Sequence, residues 1–281
     1  MRELPSVTPE KYTSLRPRIA NRFLQTGIRL ACVALLMVGC SRPVAEGQPN
    51  LVALDLKSAI PSEVSNLIQN SNLKPVSGAG GATVAIFAGY PDEHEFIGQG
   101  FIVDKKGKLS IYTVTHVVVG EVGYVNIPGL GLSGELNPYH FFYGRGAHFF
   151  STRDQSGLRT IDRAVEAPLD EYSSSSLSAL MREKGIQPLT IAEIPIEDSE
   201  QVAIPSLTSG KDTILKRRSL FGFRNGYEVV KGNPICGGQS GSPLRRMIGD
   251  QTTTEVVAVL SSIRLGNGKS CSFLAYGIPL R

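Results

Sequence analysis

From Ala82 onward, apolar and polar positions follow the short periods of strands. ATVAIFAGY, FIGQGFIVD and KLSIYTVTHVVV are apolar or alternating runs rich in β-branched and aromatic residues, as a pleated, half-buried surface requires. Pro91-Asp92 and Lys106-Gly107 divide them as turns. More irregular strands are predicted to about Pro168. Residues 170–188 break the pattern: Ser173 to Ser176 precede LSALMREKG, a short helix stopped by Gly185. A second β-rich stretch runs from about Pro188 to Arg281. Upstream, 41–78 reads as a tether containing Pro43 and Gln48-Pro49-Asn50 and running into SGAGG. Within it, Val64, Leu67 and Ile68 follow Ser62 at helical spacing and predict a short helix. No internal repeat is visible. Two β units of similar size joined by a linker predict an all-β chain of two barrels.

Composition adds little to this. Hydrophobic residues make up 41% and charged residues 19% of 281, with Gly 30 and Pro 17; this is globular, with the surplus of turn residues that all-β folds use. The first forty residues differ. Lys or Arg stands at 2, 11, 16, 18, 22 and 29, against Glu3 and Glu10, and Leu30 to Val38 is a nine-residue apolar run. That run is too short to span a bilayer as a helix. Basic region, apolar core and small residues together read as a secretory signal over 1–39. Its ending LMVGC, Leu36 to Cys40, resembles a bacterial lipobox, with Cys40 as lipid acceptor and Met37 where leucine is commoner. An ordinary signal with an incidental cysteine is the alternative.

Removing the leader changes the charge picture. Six of 29 basic and two of 25 acidic residues precede Cys40, so 23 of each remain and the +4 belongs to the leader. Nothing here calls for nucleic acid, and KRR at 216–218 reads as a solvated turn. Once Cys32 and Cys40 are assigned to the leader and the lipid, Cys236 and Cys271 are left, an even pair that reads as one disulfide in an oxidising compartment. There is no CxxC, and His94, His116, His140 and His148 show no metal-ligand spacing. Neither a metal nor another cofactor is expected.

The candidate chemistry centres on CGGQSGSP, Cys236 to Pro243. A flexible surface turn is the plain reading of a Gly/Ser cluster. The other is a loop that turns tightly and presents backbone N–H groups beside a serine hydroxyl. A serine nucleophile needs a base, usually histidine, oriented in turn by a carboxylate. No histidine follows 148, so a partner of Ser240 precedes it, which excludes the α/β-hydrolase order. His116 closes the apolar run IYTVTHVVVG, and Asp162 follows in TIDRAVEAP.

These pieces resemble the trypsin- and chymotrypsin-like serine proteases over roughly residues 80–281. GQGFIVD followed by TVTHVVV looks like the histidine motif of the bacterial secreted and HtrA-type members. TIDRAVEAP looks like their D-I/L-A-V element, though Arg163 stands where an aliphatic residue is usual; Asp154 and Asp170 are the fallback acids. GGQSGSP resembles GDSGGP, and most closely the GQSGSP form of glutamyl-endopeptidase-like members.

The resemblance implies two six-stranded antiparallel β-barrels with the active site between them. His116, Asp162 and Ser240 would be the triad, and the N–H groups of Gly238 and Ser240 the oxyanion hole. It also implies that Cys236 pairs with Cys271 beside the specificity pocket. Ser261 would support the aspartate, and the backbone of Ser261, Ser262 and Ile263 would pair with an extended substrate. Pro234 would lie at the pocket base, where an aspartate would mark Lys/Arg specificity; a small or apolar side chain is expected instead. Gln239 replaces the aspartate that pairs with a freed N-terminal amine in zymogen-activated relatives, so no such activation is expected.

The predicted organisation is a signal over 1–39, a tether over 40–78, a first barrel over 79–170, a linker over 171–188 and a second barrel over 189–281. The expected function is hydrolysis of protein or peptide substrates by an exported cell-envelope enzyme anchored in the membrane through Cys40, facing the periplasm or on the outer membrane if the envelope is Gram-negative. A catalytically inactive binding lipoprotein on the same scaffold is the alternative.

Overall fold

Lys106 and Gly107 adopt φ of 56° and 85°, the paired left-handed conformations of a two-residue hairpin. The turn joins two strands in register from Lys105↔Lys108 to Phe101↔Tyr112, and the Asp104 carboxylate accepts the Gly107 N–H at 2.6 Å. In the computed structural model the described residues are 54, 56, 60–90, 93–118, 122–136, 142–143, 150–153, 159–220, 223–263 and 271–280. The expected leader, Cys40, His140, His148 and Asp154 lie outside them.

Among the described residues, nine strands precede the linker. They are β1 (Thr83–Tyr90), β2 (Glu93–Lys105), β3 (Lys108–Val114), β4 (Val122–Ile127), β5 (Leu132–Glu135), β6 (Phe142–Tyr143), β7 (Phe150–Arg153), β8 (Arg159–Asp162) and β9 (Ala164–Pro168). Seven of them form an antiparallel sheet in the order β5-β4-β1-β2-β3-β9-β6, and β7 pairs with β8. Nine more follow: β10 (Thr190–Ile191), β11 (Gln201–Ser206), β12 (Lys211–Leu220), β13 (Phe223–Lys231), β14 (Ile235–Cys236), β15 (Pro243–Ile248), β16 (Gln251–Ile263), β17 (Cys271–Ser272) and β18 (Leu274–Pro279). Here β16-β15-β11-β12-β13-β18 closes on itself, because β18 also pairs with β16. This is a six-stranded antiparallel barrel, and closure removes its edges. Two-residue β10 adds in parallel to β16. The all-β, double-barrel architecture is the one the sequence predicts.

One apolar cluster fills the first barrel and continues into the second: Ile86, Phe101, Ile111 and Val125 pack in the same cluster as Val256, Val259 and Ile278. A second cluster, with Val202, Leu215, Tyr227 and Leu260, fills the closed barrel. The site described below therefore rests on a continuous core rather than on a hinge.

Helix α1 (Ser62–Asn70) places Val64 in a third cluster with Val76, Phe87, Tyr124 and Leu207. The following chain is tied to the second barrel by the Lys74 N–H on Leu207 O at 2.7 Å. Helix α2 (Glu171–Glu183) starts six residues upstream of the leucine pattern and takes in all four serines. The Asp170 side chain caps it, accepting the Ser173 N–H at 2.6 Å. Ser173 and Ser174 are buried, and their hydroxyls accept the N–H groups of Leu54 and Leu109. The helix ends where Gly185, at φ +66°, lets Ile186 and Gly185 donate to Met181 and Arg182 carbonyls, a Schellman closure.

Candidate active site

Five segments meet at the site: β2, the short 3-10 turn Thr115–Val117 after β3, the end of β8, the loop between β14 and β15, and the end of β16. The turn after β3 lifts His116 out of the sheet, with its side chain 41% exposed. Its Nδ1 lies 2.8 Å from Oδ2 of Asp162, whose side chain is only 6% exposed. Three further groups hold that carboxylate. Ser261 Oγ donates to Oδ2 at 2.6 Å, Thr115 Oγ1 donates to Oδ1 at 2.9 Å, and the His116 N–H reaches Oδ1 at 3.3 Å. Burial works to raise the Asp162 pKa. The hydrogen bond and charge of His116, with the Ser261 and Thr115 hydroxyls, outweigh it and hold the group below the usual carboxylate value.

Local backbone explains why these side chains converge. Thr115 and Arg163 exchange hydrogen bonds, Thr115 N–H to Arg163 O at 2.9 Å and Arg163 N–H to Thr115 Oγ1 at 2.7 Å. Arg163, the departure from the family element, thus contributes its backbone to fixing Asp162. Between β16 and β18 the register slips from Leu260↔Gly277 to Ser262↔Tyr276. Ser261 is the extra residue of that bulge, and bulges re-aim side chains; its hydroxyl turns to Asp162. The fallback acid Asp170 is a helix cap, and Asp154 is outside the described residues.

Ser240 lies on the loop between β14 and β15. Its hydroxyl donates to the Ser261 carbonyl at 3.2 Å, and its own carbonyl accepts the Gln99 N–H of β2 at 2.7 Å. Two glycines permit that approach. A Cβ on Gly98 would stand 2.8 Å from Ser240 O, and one on Gly241, at φ +86°, would stand 1.9 Å from Gln99 O. Gly238 takes φ +82°, and a Cβ there would stand 2.9 Å from the Phe96 ring. Among the described residues, neither the Gly238 N–H nor the Ser240 N–H has a hydrogen-bond partner. Ser261 links the two halves: its side chain holds Asp162 and its carbonyl holds the Ser240 hydroxyl.

The loop base is fixed by the Cys236–Cys271 disulfide and by Gln239, which is buried and accepts the Cys236 N–H through Oε1 at 2.7 Å. Pro234 is half-buried just before β14. Ser262 and Ile263 continue β16, paired with Tyr276 and Ala275, and their side chains are outside the described set. Among the described residues no group of three or more His, Cys, Asp or Glu side chains is placed to hold a metal ion.

Sequence reasoning missed Thr115, Gln99 and Ser242. Thr115 sits directly before His116, so it could have been found by asking what else the turn presents. Gln99 and Ser242 carry no such signal.

No protein-family model and no curated protein matches the chain. Among solved structures it is similar to the NSP4 proteinase from Equine Arteritis Virus, at 13% identity over 69% of this chain and 75% of that one, with a TM-score of 0.37. It is also similar to a thermostable serine protease AL20 from an extremophilic microorganism, at 12% identity over 70% of this chain and 90% of that one, with a TM-score of 0.39.

Proposed function

We propose that the chain is a serine endopeptidase, exported and held at the membrane by a lipid on Cys40. The observation that carries the reading is the imidazole of His116 held by the buried, three-fold supported Asp162 beside the Ser240 loop. In the mechanism, Ser240 Oγ leaves the Ser261 carbonyl by rotating its side chain and attacks the peptide carbonyl carbon. Its proton passes to His116 Nε2, because Nδ1 carries the proton donated to Asp162. The Gly238 and Ser240 N–H groups receive the developing oxyanion; one such donor is typically worth about two to three powers of ten in rate. His116 then returns the proton to the leaving amine, and water repeats the sequence on the acyl-enzyme.

The substrate lies extended along Ser261 to Ile263 as an added strand. Pro234 offers no charge at the pocket base, so the residue before the scissile bond is small or apolar. Hydrolysis of a peptide library by the mature domain, abolished by Ser240→Ala, tests the reading.

One observation favours a second reading. The Ser240 hydroxyl is bonded to Ser261 O and not to His116, as in a binding module that has given up catalysis. Peptides retained but never cleaved by the folded wild type would favour it.

A further inference from the structure

We infer that Gln99 is a positioning residue that sets the direction of the Ser240 N–H from the opposite barrel. The inference rests on the serine endopeptidase reading above and names a part of that machinery which the triad does not include.

Gln99 is fully buried on β2. Its backbone is used on both sides: the N–H donates to Ser240 O at 2.7 Å, and the carbonyl accepts from Thr113 Oγ1 at 2.6 Å. Its carboxamide reaches across the barrel boundary, where Oε1 lies 3.0 Å from Ser242 Oγ. Ser242, itself fully buried, also contacts the Gln239 carbonyl through the same Oγ at 2.6 Å.

A hydroxyl has one proton to give. The shorter contact, to Gln239 O, takes it. The 3.0 Å contact must then be supplied with a proton by Gln99. Its Nε2 is buried without a partner where it stands, and buried orphan N–H groups are rarer than under-used carbonyls. Turning the carboxamide over, which leaves its shape unchanged, gives a one-way chain: Gln99 Nε2–H to Ser242 Oγ, Ser242 O–H to Gln239 O.

The end of that chain matters because the Gln239 carbonyl and the Ser240 N–H belong to one planar peptide unit. The carbonyl is pinned by the Ser242 hydroxyl at 2.6 Å and by the Ser242 N–H at 3.1 Å. With the oxygen pinned on that side, the Ser240 N–H is held to the other, which on the endopeptidase reading is the side of the oxyanion. Donors in each successive link polarise the next, so loss of Gln99 loosens a peptide whose rotation would withdraw an oxyanion donor.

The test measures Gln99→Met, Ser242→Ala and the double variant, each shown folded by thermal melting. Gln99→Met lowers kcat about tenfold to a hundredfold, since part of one oxyanion donor is lost, and leaves KM unchanged. Affinity for a peptide aldehyde, which forms the oxyanion, falls in parallel, while affinity for the product peptide does not. Because Gln99 acts through Ser242, the double variant is no slower than Ser242→Ala alone. An unchanged kcat in a folded Gln99→Met, a KM effect instead, or a double variant showing the product of the two single losses would overturn the inference while leaving the endopeptidase reading intact. A wild type that cleaves nothing would remove both.

Discussion

The hydroxyl of Ser261 lies 2.6 Å from Oδ2 of Asp162, the same oxygen that meets His116 at 2.8 Å. A bulge in β16 aims it there. One carboxylate oxygen thus serves the imidazole and a serine from the other barrel, so the tautomer of His116 depends on both barrels. Ser261→Ala should lower kcat about tenfold to a hundredfold, the worth of a hydrogen bond to a charged group at about 1.5–3 kcal/mol. KM should move less, because the Ser261 carbonyl remains. Steady-state kinetics on any cleaved peptide checks this.

Asp162 gives a pH signature. Its pKa in the folded chain is lowered, with burial opposing and His116, Ser261 and Thr115 prevailing. A lowered carboxylate pKa means stability that is present above the unfolded value, about 3.9, and lost as pH falls through the folded value. Asp162→Asn should therefore be less stable than wild type at neutral pH, with the gap closing below about pH 4. Denaturant melts at neutral pH and below pH 4 measure it. At neutral pH the same variant should lose about four powers of ten in kcat, because the amide favours the wrong tautomer of His116.

The loop makes a steric prediction with an internal control. Gly241→Ala sets a Cβ 1.9 Å from Gln99 O at φ +86°, whereas a Cβ on Gly237 meets nothing within 4 Å. Gly241→Ala should unfold the site or the chain, and Gly237→Ala should keep its melting temperature within a few degrees. Thermal unfolding of the two variants side by side separates tight packing from a merely flexible turn.

How much of this was legible in the sequence depends on range. The period-two runs, the Lys106-Gly107 turn and the short helix in 62–70 are local, and the all-β architecture follows from them. His116 and Ser240 stood out because their neighbours in the chain formed motifs. Asp162 was harder, since Arg163 broke the pattern; what fixes it is the pair of hydroxyls from Ser261 and Thr115, with the exchange between Thr115 and Arg163, and no local motif records these. Ser173 to Ser176 read as a break before a helix, yet lie within it, because Ser173 and Ser174 satisfy N–H groups of Leu54 and Leu109 far away in the chain. Gln99 and Ser242 are 143 residues apart and meet only once both barrels have formed. Polar contacts of that separation leave no periodic trace.

The disulfide closes a segment with sequence separation 35, worth about 4 kcal/mol by loop entropy. Reduction, or the paired change Cys236→Ala with Cys271→Ala, should lower the melting temperature by several degrees or more. Because the bridge anchors the base of the Ser240 loop, kcat should fall further than the loss of folded protein accounts for. Active-site titration alongside calorimetry distinguishes the two.

The central claim is that Ser240 is made nucleophilic by His116. A fluorophosphonate probe tests it most directly, with the modified residue located by peptide mass analysis. The expected result is one phosphonyl group per chain, on Ser240, with labelling abolished in Ser240→Ala and slowed at least a hundredfold in His116→Ala. Folded wild type that takes up no label, or labels equally fast without His116, would contradict it.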